Sequence, residues 1–591
     1  VTTDTPVSKG PPARGARARL LAVARHDLAW TAVALAVLVV WVHAAWLHRG
    51  GFLGAPGTDV LRGAWGFDHQ VRGLPFPFWT SRVGFPEGVK LLVLPTLSSI
   101  VGAPLALLGP VIGYGAWVLA LVWGTGVATA WLARSVSGSG AAGLLAGAWM
   151  VVQPMVLLAI TDGTPEYVAF GALPAALALV WAARQDKGWL PAAAGAALVY
   201  VALDSPYHAV FALPFVPIVL WGTSRRNLLM LGIVVLIGTG TLAGAYWGLP
   251  VGDVEDQRRG GNALQAAVWA QWESGAVQGW DYTLAPGFVP VATIAGALAL
   301  AALRPLRSAP WVLAAALCFV FAVGENAENP LWIARNVGDG PAAVARMIAA
   351  FNDAVHVPVV RFPRRWLVPM AMGLAVAASI GLSRLPWRPA RVALALPLTA
   401  AAVWQCLALT HYREDLPTFA APTAAFATFI HDHDADGAVL ALPTIRGSKT
   451  AATRREDIPI YANLDASIRS ADQLWIQLAT GRATVYVPQG MRTMERRTAR
   501  EKELETLLRD LDDLTIPQTM GKALPPSATQ EPERRAAAAA ALVERGLSFV
   551  VLDDALFAAE GLALAKAVFS ARIVEERRFD DGTGVTVWVV E

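Results

Sequence analysis

The first 410 residues of this 591-residue chain are poor in charge, and the ionisable side chains that could do chemistry there fall beside the ends of apolar runs. Asp59 stands in Gly57-Thr58-Asp59-Val60, Asp162 and Glu166 in Thr161-Asp162-Gly163-Thr164-Pro165-Glu166-Tyr167, and His208 in Asp204-Ser205-Pro206-Tyr207-His208. Three arginines crowd Arg361-Phe362-Pro363-Arg364-Arg365-Trp366. A carboxylate within hydrogen-bond reach of a hydroxyl works as a general base, and forked guanidinium donors fit the oxygens of a leaving phosphate. Each residue also has a local reading. Asp59 suits the N-cap of an interfacial helix beginning at Val60. Thr164 suits an N-cap, with Pro165 opening the helix and Glu166 complementing its dipole, which leaves Asp162 without a local role. Asp204 or Ser205 suits a helix cap with His208 hydrogen-bonded between helices, and the arginines suit anchors to lipid phosphates.

The elements that must position these residues follow from composition. The chain is 55% hydrophobic and 16% charged, against roughly a quarter charged in an ordinary soluble protein, which excludes a soluble globular enzyme. Up to about residue 410 there are 27 Lys+Arg and 18 Asp+Glu, and beyond it 21 and 27 in a far shorter segment. Apolar runs near the roughly 20 residues of a bilayer crossing occupy 28–47, 114–133, 141–160, 167–183, 189–203, 207–223, 228–250, 286–303, 310–324, 366–383 and 391–409. Residues 91–113 are apolar too, but Pro95, Pro104 and Pro110 interrupt a regular helix there. With that stretch broken, re-entrant or juxtamembrane, the loops bearing Arg134, Arg184, Arg225, Arg304 and Arg384 share the side of the arginine-rich N-terminus, as the positive-inside rule asks. Asp59, Asp162, Glu166, His208 and the Arg361 cluster then share the outer face. The apolar stretch from Leu28 lacks a small-residue cleavage site and reads as a retained first span.

The expected fold is thus a polytopic α-helical membrane protein of about eleven spans with a C-terminal extracytoplasmic α/β domain. Its divisions are a basic cytoplasmic N-terminus (1–27), a transmembrane part (28–409) and the outer domain (410–591). Within the last, Ala438 to Leu442 and Leu547 to Leu552 read as strands, 498–513 and 533–545 as helices, and Ile573 to Phe579 with Val585 to Val590 as a hairpin turning through Asp580-Asp581-Gly582-Thr583-Gly584. Cys318 and Cys406 lie in apolar runs and allow neither a disulfide framework nor a cysteine zinc site. Basic residues scattered over short loops exclude nucleic-acid binding as a main function.

An acid shortly after the first span (Asp59), the Leu74-Pro75-Phe76-Pro77 and Phe85-Pro86-Glu87-Gly88 stretches, an acid in the next outer loop (Asp162) and Arg361-Phe362-Pro363-Arg364-Arg365 before a late span together resemble the GT-C glycosyltransferases. The strand Gly437 to Pro443 adds a likeness to the bacterial YfhO-like membrane proteins. The resemblance implies a multi-pass protein of the bacterial inner membrane that transfers a sugar from a polyprenyl-phosphate carrier to a hydroxyl of a glycan, lipid or protein acceptor, with inversion. It implies Asp59 as base, Asp162 as a catalytic partner, and Arg361, Arg364, Arg365, His208 and Glu166 around the carrier phosphate. The second loop lacks an Asp-x-Asp pair, which argues against a required metal and leaves a divalent Mg or Mn open. Trp-Trp-Asp is absent as well, which disfavours transfer of a whole glycan to asparagine. Two readings of other classes stand beside this one: a flippase or transporter for lipid-linked oligosaccharides, which calls for ionisable groups in mid-span, and a non-catalytic cell-envelope scaffold.

Overall fold

The computed structural model describes residues 14–54, 60–73, 79–80, 82, 89–90, 95–186, 188–246, 290–323, 350, 363–410, 412, 418–419, 425–442, 473–485, 532–553, 559–579 and 585–591. The chain opens with α1 (Arg14–Val42) and α2 (Ala44–Arg49), passes strand β1 (Phe52–Leu53) and enters α3 (Val60–Arg72). A short antiparallel pair, β2 (Trp79–Thr80) with β3 (Val89–Lys90), precedes α4 (Thr96–Val101), a 3₁₀ turn (Ala103–Leu108) and the long α5 (Pro110–Ser137). The described part of 91–113 is therefore broken, as its prolines dictate: Pro95 precedes a six-residue helix, Pro104 sits in the 3₁₀ turn, and Pro110 opens the next helix at the one position where a missing N–H costs nothing.

Next come α6 (Gly140–Val151), α7 (Pro154–Asp162), α8 (Pro165–Val168), α9 (Ala172–Ala183), α10 (Leu190–Asp204), α11 (Pro206–Ala212), α12 (Val216–Leu220) and α13 (Arg225–Tyr246). After them run α14 (Val291–Ala301), α15 (Pro305–Val323), a 3₁₀ turn (Pro363–Trp366), α16 (Leu367–Leu382) and α17 (Arg388–Thr410). Helix occupies part of each of the eleven expected runs, yet among the described residues only five stretches are long and apolar enough to cross a bilayer: Pro110–Ser137, Gly140–Thr161, Pro165–Ala183, Pro305–Ala322 and Arg388–Ala408. Shorter apolar helices cover Leu28–Val42, Leu190–Asp204, Val291–Ala301 and Leu367–Leu382. Proline accounts for part of the shortfall, since the run 207–223 is divided around Pro214 and Pro217 into α11 and α12.

Every residue of α16 is buried, as is nearly all of α6 and α7, so these helices form the centre and the others surround them. Close helix approach needs small residues there. A Cβ added at Gly147 of α6 would lie 2.6 Å from the Gly126 carbonyl oxygen of α5. At one end of the bundle basic and amide side chains close off helix termini: Gln185 Nε2 donates to the Gly222 carbonyl at 3.1 Å, Asn227 Nδ2 to the carbonyls of Ala183 and Asp186 at 2.8 Å each, and Arg384 Nη1 to the Leu303 carbonyl at 2.6 Å. The candidate site is at the other end.

Beyond residue 410, β4 (Thr418–Phe419) pairs antiparallel with β1, Phe419 opposite Phe52. A four-stranded sheet follows, built from β5 (Ala438–Leu442), β6 (Leu547–Asp553), β7 (Ile573–Phe579) and β8 (Val585–Val590) in the order β5-β6-β8-β7, with β5 parallel to β6 and the rest antiparallel. The strands β5 and β8 are buried along their whole length, which requires cover on both faces. Leu440, Leu552 and Trp588 pack on one side with α20 (Pro532–Glu544) and α21 (Ala559–Phe569), and Val439, Phe549 and Val587 on the other with α18 (Ala425–Asp432) and α19 (Gln473–Thr480). The edge strand β7 exposes Glu575, Glu576, Arg577 and Arg578, charges that discourage further strand pairing. The helix expected at 498–513 lies outside the described residues.

Candidate functional site

The site is assembled where α3, α7, α8, α11 and the turn before α16 meet. Helix α7 ends at Asp162, and Gly163 takes the left-handed conformation (φ 69°) that stops it, a place where glycine is strongly favoured. Pro165 then restarts the chain as α8, with Thr164 as its cap residue. The Thr164 hydroxyl turns back to the Ala159 carbonyl at 3.4 Å and makes no cap bond, so the cap expected there exists in backbone geometry alone.

The first loop lies against this corner. A Cβ at Gly54 would fall 2.8 Å from the Ile160 carbonyl oxygen and 3.3 Å from that of Thr161; one at Gly63 would fall 3.0 Å from the Gly163 carbonyl oxygen and 2.9 Å from the Tyr114 hydroxyl. Residues on both sides of Asp59 in sequence are thereby packed on the segment that contains Asp162. Asp59 and Arg361 themselves lie outside the described residues, and of Asp162 and Arg364 only the main chain is described. Helix α3 begins at Val60, the residue after the expected cap.

Glu166, His208 and Arg365 come together from three separate segments. The Arg365 guanidinium carbon lies 3.8 Å from the centroid of the Tyr167 ring and 5.1 Å from that of Tyr207, and the two rings are 6.1 Å apart. A guanidinium held over aromatic faces is attracted by their quadrupoles and fixed in direction. Its neighbour Trp366 is buried against Phe211 (ring centroids 4.8 Å) and Phe321 (4.6 Å), which anchors the turn. His208 is fully buried between Phe170 (5.5 Å) and Phe211 (6.2 Å), with the Glu166 main chain alongside.

Two buried hydroxyls here, those of Tyr167 and Ser205, lack a hydrogen-bond partner among the described residues, and the buried His208 ring sits beside them. The Glu166 main chain of α8 is a polar neighbour of the His208 ring on α11, in line with the inter-helix role expected of it. Buried groups without partners are uncommon because each costs about 1–3 kcal/mol, and they gather where a ligand or water supplies the missing partner. Asp204 is also fully buried, but its cap acts on another helix than expected. Its carboxylate accepts the Ser98 N–H and the Ser98 hydroxyl at 2.7 Å each, securing α4 to the end of α10. Beside this corner Tyr412 packs edge-on against His43 (5.5 Å), and burial pushes its phenol well above the usual range.

The residues beyond 410 hold the first loop from outside. Gln477, buried on α19, accepts the Trp65 indole N–H and donates to the Arg82 carbonyl, which also accepts the Thr484 N–H at 2.8 Å. Asp68 accepts from Arg72 (2.8 Å) and Arg82 (2.9 Å), and His69 stacks on Trp65 at 4.8 Å. Among the described residues no three His, Cys, Asp or Glu side chains converge on a point that would hold a metal ion.

Sequence reasoning missed Tyr167 and Tyr207. The chain has nine tyrosines, and these two each adjoin a candidate residue, Glu166 and His208, at a helix start. That coincidence was the available signal.

No family model matches the sequence, and no curated protein sequence does. Solved structures do. Over 96% of this chain, the arabinofuranosyltransferase AftD from Mycobacteria superposes with a TM-score of 0.50 at 15% identity, and a variant of that enzyme with 0.51 at 15%. The chain shares the fold of that arabinofuranosyltransferase. The chain spans only 40% and 41% of the length of those two proteins. The archaeal oligosaccharyltransferase AglB from Archaeoglobus fulgidus, solved with an inhibitory peptide and a dolichol-phosphate, superposes over 95% of this chain and 74% of its own, with a TM-score of 0.43 and 10% identity. The likeness is one of fold, and none of the comparisons bears on the narrower resemblance to YfhO-like proteins.

Proposed function

We propose that this protein is a membrane glycosyltransferase that takes one sugar from a polyprenyl-phosphate carrier and places it on an acceptor hydroxyl, inverting the anomeric carbon. The observation that carries the proposal is the position of Arg365 over Tyr167 and Tyr207, beside the buried His208 ring and two buried hydroxyls without partners among the described residues, on the corner where the first loop packs. A phosphate entering that corner gains the guanidinium and the Tyr167 and Ser205 hydroxyls, and those hydroxyls gain partners.

In the reaction, the acceptor oxygen forms a bond to the anomeric carbon as the bond from that carbon to the phosphate oxygen breaks. Asp59 takes the hydroxyl proton, a contribution of about 10²- to 10⁴-fold. Asp162 orients the acceptor or the base. Charge that builds on the departing phosphate is met by Arg365, with Arg361 and Arg364, as donors already in place in a dry site. Glu166 and His208 line the carrier headgroup, and the broken segment 91–113 borders its chain. In the membrane, the candidate site faces outward and the arginine-bearing loops face the cytoplasm.

The test is turnover by the purified full chain in detergent, supplied with labelled polyprenyl-phosphate sugars and a panel of hydroxyl acceptors. Release of carrier phosphate together with a glycosylated acceptor, both lost in Asp59→Asn, is the expected result. Movement of intact donor across vesicles without release of carrier phosphate would establish the transporter reading instead.

A further inference from the structure

The bundle is open at its side between α14 and α17. The opening leads into a cavity of about 210 Å³ backed by Trp149 of α6 and Ala375 and Ala378 of α16. Among the described residues no ionisable side chain lines it. The helix faces around the mouth are apolar and outward, with Leu298, Leu396 and Trp404 exposed by 42%, 53% and 74%. On a helix bundle of this apolarity such faces meet hydrocarbon, so the cleft takes its occupant sideways from the bilayer.

Two polar groups give the cleft a direction and a chemistry. Gln405 of α17 uses its amide oxygen twice, accepting the Thr293 N–H at 2.8 Å and the Thr293 hydroxyl at 2.6 Å. This fixes the side chain and leaves the amide nitrogen, a double donor, without a partner among the described residues. Deeper in, the Trp149 indole N–H is buried and unpaired. The Gln405 amide is a donor seeking an acceptor in a medium without water, where an unmade hydrogen bond is costly. Gln405 is five residues from the end of α17, about 8 Å below it, and Leu398, also on the cavity wall, is about 10 Å deeper. The cleft therefore runs along the helices from a polar rim to an apolar floor.

We propose that the cleft is a site for one acyl chain of an ester-linked bilayer lipid, whose ester carbonyl accepts from the Gln405 amide while the chain extends past Trp149 toward Leu398. Polarity selects this occupant over the polyprenyl carrier. An acyl ester brings a neutral acceptor to a rim that has only donors to offer. A polyprenyl phosphate brings hydrocarbon and then an anion, and among the described residues the wall holds no cation to meet it. The site is separate from the Arg365 corner, and its existence does not depend on the transferase reading.

Photolabelling of the full chain in phosphatidylglycerol vesicles tests it, with a trace of the same lipid bearing a diazirine on its acyl chain. Adducts should concentrate on peptides containing 292–300 and 398–405, in excess of those on the exposed residues Leu229 and Leu236 of α13. A Cβ at Gly296 meets open space, so Gly296→Leu fills the cleft without clash and should erase the excess, whereas Gly296→Ala should keep it. Gln405→Leu should reduce the excess about fivefold, as expected for loss of one neutral hydrogen bond, and an ether-linked analogue of the probe should show the same reduction on the unaltered chain. Labelling that survives Gly296→Leu, or that an equal mole fraction of polyprenyl phosphate displaces, would overturn the proposal.

Discussion

Replacing Tyr167 with phenylalanine removes one oxygen atom and nothing else from the corner that holds Arg365. The ring that the guanidinium approaches to 3.8 Å remains, and so does its contact with Tyr207. The lost hydroxyl is buried and has no partner among the described residues. A buried, unpaired hydroxyl costs about 1–3 kcal/mol, so its removal should leave the empty protein as stable as before or more stable by about 1 kcal/mol. If that hydroxyl exists to bond the carrier phosphate, a hydrogen bond to a charged group worth about 1.5–3 kcal/mol is lost in the complex, and kcat/KM should fall about 10- to 100-fold. The two effects oppose each other, which is the mark of a site held unsatisfied for its ligand. Thermal unfolding in detergent reads the first and turnover with a labelled donor the second. Tyr167→Leu, which also takes away the ring under Arg365, should lose both stability and activity. A Tyr167→Phe protein that melts lower than the parent would show that the hydroxyl is bonded in the free state, and one with unchanged kcat/KM would remove Tyr167 from the phosphate site.

Asp59→Asn should abolish transfer while leaving the melting temperature and detergent elution volume unchanged; normal turnover in this variant would discard Asp59 as base. Arg365→Lys keeps the charge but loses the planar fork, so it should lower kcat by about 10-fold and Arg365→Met by about 10²- to 10³-fold, measured as release of carrier phosphate at saturating donor. Ser98→Ala leaves the Asp204 carboxylate with one of its two 2.7 Å bonds from Ser98 and should destabilise the bundle by about 1–3 kcal/mol, read by urea titration of tryptophan fluorescence. Gln477→Ala strips both the Trp65 indole and the Arg82 carbonyl of a partner and should speed protease cleavage between residues 73 and 90.

Much of the local structure was legible because it is governed by near neighbours in sequence. Prolines 95, 104 and 110 announced a broken helix, Pro165 announced a helix start, and the run Val585 to Val590 after a stretch with turn chemistry announced the last strand. Helix length was less legible. Apolar composition marks a run as buried but does not say where the backbone bends, and α11 and α12 share a run that reads as one. The site was legible by residue and not by partnership. Glu166, His208 and Arg365 could each be picked out at a span end, but their convergence depends on helix packing across some two hundred residues of chain. Asp204 shows the same limit: a carboxylate before Ser-Pro reads as a cap for the helix it precedes, and the donor it serves is Ser98, more than a hundred positions earlier. Nothing nearby in sequence encodes that choice.

The grip of Gln477 on Trp65 and Arg82 means that the sheet-bearing segment completes the surface of the first loop. Were translation halted at residue 410, that loop would present a bare indole, a lone carbonyl and the unpaired edge of β1 to solvent. Any partner that tugs on this sheet therefore tugs on the loop that carries Trp65 and Arg82, and a ligand captured on the sheet has a mechanical route to that loop.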